Sequence, residues 1–131
     1  MSHPYHHSLS SVKNHGGVVE DYLPIHNWFD ATKAYIGDVR HRALRHHTLG
    51  IFDCEKVFGE VIVNSSGKSV PVRIIGEQHV LEDIGRIPTP QDWLDEMSKA
   101  SWMMRNTRKL SLEFPVPPKK KEEINASEEL F

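Results

Sequence analysis

The sequence predicts a mainly helical domain of four to six helices, with one β-hairpin inserted between the central helices. Three observations support this fold class. Apolar residues recur every three or four positions along most of the first 100 residues, which is typical of amphipathic helices. Glycines follow the ends of several such stripes, where helices commonly stop. One stretch of alternating apolar and polar residues surrounds an Asn-Ser-Ser-Gly turn, which indicates a hairpin.

The element boundaries follow from the glycines, prolines and capping residues. A helix is expected to stop at Gly16, the next to begin with Pro24 in its first turn and end at Gly37, and a third to be capped by Asp38. The predicted elements are, in order, helix 4–15, helix 24–36, helix 38–58, hairpin 60–74, helix 75–84 and a short helix within 89–100.

The domain is predicted to cover residues 1–100, followed by a C-terminal extension over 101–131. From position 115 the extension reads PVPPKKKEEINASEELF. Prolines, adjacent blocks of opposite charge and few apolar side chains leave little surface to bury. We therefore predict that the extension is largely mobile after residue 114.

Composition narrows the class of protein. The 131 residues are 38% hydrophobic and 26% charged with a net charge of −2, so the chain lacks the basic field of a bulk nucleic-acid binder. No apolar run approaches the roughly 20 residues that cross a bilayer. The single cysteine, Cys54, lies on an apolar stripe and is typical of a reducing compartment, so we predict a cytoplasmic protein. Histidine is the exception, with nine residues.

Three of these histidines lie in the stretch DVRHRALRHHTLGIF, residues 38–52. On the predicted third helix, His47 lies on the apolar stripe, whereas His41 and His46 point to different sides. Three histidines that face three ways cannot bind one ion from a single helix. A metal site in this region therefore requires ligands from another element.

The predicted fourth helix offers such ligands. His79 and Asp83 are four residues apart and share one helical face, so they can supply two ligands to one ion. With His41 and His46 they form the predicted metal set, for one divalent transition metal such as zinc, manganese, iron or nickel. The alternative interpretation is a solvated helix face.

Glu77 follows the apolar spacing of the same helix and is predicted to point inward. A buried carboxylate needs a partner, and Arg40 and His47 are the candidates. Glu77 is either half of a structural ion pair or a catalytic acid or base. Arg40, Arg42, Arg45 and His47 are further predicted to bind a small anion such as a nucleotide, because guanidinium groups suit phosphate.

The second helix carries His26 and Asp30, with Lys33 close by, on what the predicted phase makes its outer face. We interpret this trio as a solvated surface, with the rim of a pocket as the alternative.

Five motifs taken together resemble a family of small uncharacterised proteins from tailed phages, prophages and bacterial mobile elements. They are HPYHHSLSSVKNHGG, DYLPIHNWFDATKA, RHRALRHHTLGIF, FGEVIVNSSGKSVPVR and GEQHVLEDIGRIPTPQDWL. The resemblance covers about residues 2–95. It implies a mobile-element product that acts in the cytoplasm of a bacterial host and counters host defence.

A second resemblance concerns the ligands. HD-type metallophosphohydrolases gather histidines and aspartates from separate helices, and His41 or His47 with His79 and Asp83 is similar to that pattern. The adjacent His-Asp dyad of those enzymes is missing here.

Three functions therefore remain open. The protein binds a small anionic ligand through an Arg/His-rich surface between its central helices. Alternatively, it hydrolyses a phosphoester at a metal, with Glu77 as base and Arg40 or Arg42 on the phosphate. As a third alternative, it is a non-catalytic interaction protein that blocks a host protein. A homo-oligomer is compatible with each.

Overall fold

The computed structural model describes residues 3–105. The chain divides into two compact units, residues 1–96 and 97–131. The described part of the second unit contains one 3-10 turn, Ser101–Met104. The predicted mobility after residue 114 concerns residues outside the described part.

The first unit is mainly helical, which confirms the predicted fold class. Its elements are α1 (Pro4–His15), α2 (Val19–Asp30), 3-10 turns at Ala31–Ala34 and Val39–Leu44, α3 (Thr48–Phe58), β1 (Val61–Val63), β2 (Ser69–Pro71), α4 (Val72–Ile84) and α5 (Pro90–Leu94).

Helix α1 has the predicted bounds. Pro4 occupies its first turn, and the chain leaves it at Gly16 with φ 83°. The predicted start of the second helix at Pro24 is wrong, because Pro24 lies inside α2. The helix begins five residues earlier, where the Asp21 carboxylate accepts a hydrogen bond from the Val18 backbone N–H at 2.8 Å. The added N-terminal residues contribute Tyr22 to the buried face of α2.

The predicted continuous helix over 38–58 is also wrong. The chain forms a 3-10 turn to Leu44 and then starts α3 at Thr48. His47 stands at the break and caps α3, since its Nδ1 accepts a hydrogen bond from the Gly50 N–H at 3.0 Å. Because the segment is broken, the helical phase used to place His41 and His46 does not apply.

The hairpin lies where the sequence predicts it. β1 and β2 pair antiparallel, with Ile62 opposite Val70. Helix α4 continues directly from β2 and begins at Val72, three residues before the predicted start. Helix α5 begins at Pro90 after Thr89, whose side chain accepts from the Asp92 N–H at 3.1 Å.

The apolar core lies around α2, which packs against α1, α3 and α4. Its buried members are Tyr22, Ile25, Phe29, Ile51, Cys54, Val70, Val72, Ile75 and Val80. Cys54 belongs to this core as predicted, and burial raises the pKa of its thiol to about 12. Within residues 3–105, no helix combines the length and the apolar character needed to span a bilayer.

Candidate metal centre

A second group of buried side chains lies beside the apolar core, and it is polar. Five histidines are no more than 1% exposed: His7, His26, His41, His46 and His79. Burying imidazole away from water costs free energy unless the ring nitrogens find partners. The partners of these rings therefore reveal how the site is organised.

Four of the buried polar side chains converge on one point, and we call Asp30, His46, His79 and Asp83 the His/Asp centre. His79 Nε2 lies 3.3 Å from both Asp30 Oδ1 and Asp83 Oδ2. His46 Nε2 lies 2.9 Å from Asp83 Oδ2 and 3.7 Å from Asp30 Oδ1. One donor atom from each residue lies within 4.8 Å of the other three.

The fold brings these residues together from three places. Asp30 is the last residue of α2, and His46 lies in the break between the 3-10 turn and α3. His79 and Asp83 are one turn apart on α4, where an i, i+4 pair shares a face. Packing of α4 against α2 and α3 thus assembles the centre from residues up to 53 positions apart.

The spacing of the donor atoms suits a small divalent ion. A tetrahedral ion with ligand bonds of about 2.0–2.1 Å requires its ligand atoms to lie about 3.3–3.4 Å apart. The four measured nitrogen–oxygen separations range from 2.9 to 3.7 Å. Two imidazoles and two carboxylates are also donors that zinc, manganese, iron and nickel accept. The His/Asp centre could therefore hold a metal ion.

The protonation states of the residues in the centre suit metal binding. Burial would raise the pKa of Asp83, but hydrogen bonds with His46, His7 and His79 outweigh it and hold that pKa far below its usual value. The pKa of Asp30 is also lowered, because its bond to His79 overcomes the effect of burial. Burial lowers the pKa of His46. At neutral pH both carboxylates are ionised and His46 is neutral, as metal ligands must be.

Two cations contact the outer oxygens of the carboxylates. Lys33 Nζ lies 3.8 Å from Asp30 Oδ2, and an Arg42 terminal nitrogen lies 3.9 Å from Asp83 Oδ1. The Lys33 side chain is 41% exposed and that of Arg42 is 12% exposed. The other two oxygens, Asp30 Oδ1 and Asp83 Oδ2, face His46 and His79, so these two imidazoles and the cations contact opposite sides of the carboxylates.

His7 is held between two carboxylates at the edge of the centre. Its Nδ1 lies 2.7 Å from Glu82 Oε1 and its Nε2 lies 3.1 Å from Asp83 Oδ1. Burial opposes the charged ring, but the hydrogen bonds to Asp83 and Glu82 and the charges of these carboxylates together outweigh it and raise the pKa of His7. His7 thus offers positive charge to Asp83 from α1.

His26 contacts the centre from the other side. Its Nδ1 lies 3.0 Å from His79 Nδ1, and its Nε2 lies 2.9 Å from Ser11 Oγ. Burial, together with the nearby His79 and His7, lowers the pKa of His26 to about 2. His26 is therefore a neutral ring at any physiological pH.

Four buried polar atoms of the described residues have no hydrogen-bond partner: Asp30 Oδ2, His41 Nε2, Arg42 Nε and His46 Nδ1. Each belongs to the centre or to the 3-10 segment beside it. Unpaired buried polar atoms are rare in folded proteins, and a bound ion or water is one way in which such atoms gain a partner.

Of the predicted metal set, the structure brings His46, His79 and Asp83 together and places His41 beside them. His41 is buried with its ring 5.6 Å from that of His46, but its Nδ1 pairs with Thr32 Oγ1 at 2.8 Å. The fourth member of the centre is Asp30, which the sequence reasoning did not select.

The prediction that His26 and Asp30 lie on a solvated face is wrong, since both are buried. The error comes from assigning the polar residues of α2 to its outer face, whereas the buried face of this helix carries both apolar and polar side chains. A signal was present in the sequence, because His26 and Asp30 repeat the His-x-x-x-Asp spacing of His79 and Asp83.

The inward position predicted for Glu77 is wrong. Its side chain is 34% exposed and pairs with Arg73 at 3.1 Å on the outer face of α4. His79 and Val80 are buried instead, and Leu81 is exposed. The apolar spacing suggested the wrong phase because polar His79 belongs to the buried face.

The residues of the predicted anion surface do not gather at one place. Arg40 is exposed and pairs with Asp38 at 2.7 Å. The Arg45 guanidinium lies 4.0 Å from the centre of the Trp28 ring. His47 caps α3, so Arg42 alone of this set contacts the His/Asp centre.

Fold and site together define a small helical protein with a buried centre of two histidines and two aspartates that could hold one metal ion. The chain belongs to the family described as Domain of unknown function (DUF6915), whose model matches residues 2–103. Membership confirms the predicted resemblance to an uncharacterised family. Comparison with curated proteins and with solved structures finds no match.

Proposed function

We propose that this protein is a metal-dependent phosphoester hydrolase that binds one divalent transition-metal ion at the His/Asp centre. The observation that carries the proposal is the set of four donor separations, 2.9–3.7 Å, around one point. Two imidazoles and two carboxylates from three parts of the fold are also similar to the ligand set that HD-type metallophosphohydrolases gather from separate helices. A bound ion would supply the activation of water at neutral pH.

The charges around the centre favour an anionic substrate. Lys33 and Arg42 lie on the outer oxygens of Asp30 and Asp83, and both side chains reach solvent. Arg42 Nε is buried without a hydrogen-bond partner, so the guanidinium retains one unused donor next to the His/Asp centre. We therefore infer that a phosphate group approaches from the side of Lys33 and Arg42, and that the substrate is a small phosphoester such as a cyclic or linear nucleotide.

The biological setting is part of the proposal. A product of a phage or mobile element that acts in the host cytoplasm could remove a nucleotide signal of host defence by hydrolysing it. The resemblance of the five sequence motifs to proteins of such elements supports this setting.

The test combines metal content and turnover. Untagged protein is expected to contain one transition-metal ion per chain and to hydrolyse phosphoesters from a panel of nucleotides, with loss of activity in chelator. Asp30→Asn should lower metal affinity and turnover at least 10-fold. The matched control is Asp95→Asn, an exposed aspartate just after α5, which should change neither. Full turnover in chelator would contradict the proposal.

A second candidate is capture of a nucleotide-like anion without hydrolysis. The unpartnered Arg42 Nε and the burial of the four donor side chains, each no more than 6% exposed, favour it, because catalytic metals usually keep an open position. Under this candidate, calorimetry shows nucleotide binding that Arg42→Ala abolishes, and no product forms. If the protein binds neither metal nor anion, both candidates fail and the interaction-protein hypothesis is the one to pursue.

A further inference from the structure

A line of buried polar side chains leads away from the His/Asp centre. It starts at His79 Nδ1, which lies 3.0 Å from His26 Nδ1, and continues from His26 Nε2 to Ser11 Oγ at 2.9 Å. Ser11 Oγ lies 3.0 Å from Gln78 Oε1 and 3.1 Å from the His7 carbonyl oxygen. Both nitrogens of His26 are therefore engaged, one by a metal-ligand candidate and one by a hydroxyl.

Once an ion is bound, the protonation of the imidazoles fixes which atom donates and which accepts in each hydrogen bond along this line. A neutral imidazole has one N–H and one lone pair. His79 Nε2 faces Asp30 and Asp83, so it can bind the ion only if the proton of the ring is on Nδ1. That N–H then donates to His26 Nδ1, His26 carries its own proton on Nε2, and Nε2 donates to Ser11. The Ser11 hydroxyl donates onward to an oxygen that carries no proton.

We propose that His26 is a positioning residue for the metal ligand His79. It accepts the Nδ1–H of His79 and so holds the ring in the tautomer whose Nε2 lone pair faces the ion. If these hydrogen bonds ran in the opposite direction, the His79 proton would lie on Nε2, the nitrogen that has to bind the ion. The inference rests on the metal site of the proposed function and is independent of hydrolysis.

The same histidines suggest a competing arrangement. His7, His26 and His79 form a second group whose donor atoms lie within 4.8 Å of one another. An ion there would need lone pairs on those nitrogens, whereas the 3.0 Å distance between His26 Nδ1 and His79 Nδ1 is that of a hydrogen bond with one proton. Two ions per chain would therefore overturn the inference.

The tautomers can be observed directly in the full-length protein loaded with zinc and labelled with ¹⁵N-histidine. Two-bond ¹⁵N–¹H correlation spectra distinguish Nδ1–H from Nε2–H rings. We expect Nδ1–H for His79 and Nε2–H for His26, with one zinc ion per chain. A His26 ring protonated on Nδ1 in the zinc-loaded protein would overturn the inference.

Variants supply a second readout. His26→Gln keeps an amide oxygen that can accept from His79, whereas His26→Leu removes the acceptor. Zinc affinity, measured by competition with a chromophoric chelator, should fall about 10–100-fold in His26→Leu and only a few-fold in His26→Gln. The visible spectrum of the cobalt-loaded Leu variant should change as well. His6→Leu, which removes an exposed histidine of α1, is the matched control.

The outcomes separate the two proposals. A folded His26→Leu variant with wild-type zinc affinity contradicts the role of His26. If His26→Leu does not fold, the Gln variant and the wild-type tautomers decide. Zinc binding with the expected tautomers but no turnover contradicts the hydrolase alone, and a wild-type protein that binds no zinc contradicts both.

Discussion

Asp83 shows at the scale of one residue how this protein maintains a buried charge. The imidazoles of His7, His46 and His79 lie 2.9–3.3 Å from its oxygens, and the Arg42 guanidinium lies 3.9 Å away. A buried carboxylate without such partners would take up a proton. Here the partners keep it ionised, which is the state that a metal ligand or a buried ion-pair network requires.

Two glutamates on α4 provide a test of this polar network. Glu82 bonds the buried His7 at 2.7 Å, whereas Glu77 pairs only with exposed Arg73. Glu82→Ala should lower the free energy of unfolding by about 1 kcal/mol, because it leaves a buried donor unpaired. Glu77→Ala should lower it by less than about 0.5 kcal/mol. Urea denaturation measures both, and a larger effect of Glu77→Ala would contradict the observed orientation of α4.

At the scale of elements, the position of His46 depends on the break between the 3-10 turn and α3. Gly50 lies in the first turn of α3 against the Arg45 backbone, and a Cβ there would overlap the Arg45 carbonyl group. The absence of a side chain at Gly50 thus allows the chain to turn tightly just before His46.

Gly50→Ala should therefore both destabilise the fold and disturb the centre. Overlap with backbone cannot be relieved by a rotamer change, so we expect a loss of about 3 kcal/mol in the free energy of unfolding. Zinc affinity should fall with it, because His46 moves. Gly37→Ala is the control, since nothing lies within 4 Å of a Cβ at that position. Equal urea midpoints for the two variants would show that the turn is not constrained as described.

The elements also show what the sequence can predict. Helix α1 and the hairpin were predicted correctly because Pro4, Gly16 and the Asn-Ser-Ser-Gly turn act locally. The break at His47 was missed because a histidine side chain caps α3, and histidine is not among the usual capping residues.

The site was predicted in part for a related reason. His46, His79 and Asp83 were selected from spacing and residue type. Asp30 and His26 were missed because apolar periodicity assigns polar residues to the outside, and here the buried side of α2 includes these two polar residues beside its apolar ones. Only the tertiary packing of α2 against α4 shows that these polar faces meet.

At the scale of the whole molecule, the fold has two adjoining interiors, one apolar and one of histidine and aspartate. A metal that binds the second interior in the folded state alone should stabilise the entire first unit. At a zinc concentration 100 times its Kd, the gain should be about 2.7 kcal/mol. Differential scanning calorimetry should show a higher Tm with zinc and a return to the metal-free Tm in chelator, whereas Asp30→Asn should show little change.

The buried histidines should also make the metal-free protein sensitive to acid. The folded pKa of His26 is about 2 and its unfolded value is about 6.5, so below pH 6.5 the unfolded chain binds a proton that the folded chain refuses. The stability from His26 is therefore complete above pH 6.5 and falls by up to about 1.4 kcal/mol per pH unit below it. The lowered pKa of His46 acts in the same direction.

Other groups act in different directions or in a different pH range. The raised pKa of His7 gives stability that is fully present below pH 6.5 and is lost as pH rises through its folded pKa, so His7 partly opposes the acid effect. The lowered pKa values of Asp30 and Asp83 give stability that is present above about pH 3.8 and is lost as pH falls further.

Urea midpoints of the metal-free protein should therefore decrease from pH 7 to pH 5. In His26→Gln the accompanying loss of unfolding free energy should be smaller by about 1 kcal/mol per pH unit below pH 6.5, because the replacement does not titrate. Parallel profiles for the two proteins would contradict a neutral, fully buried His26.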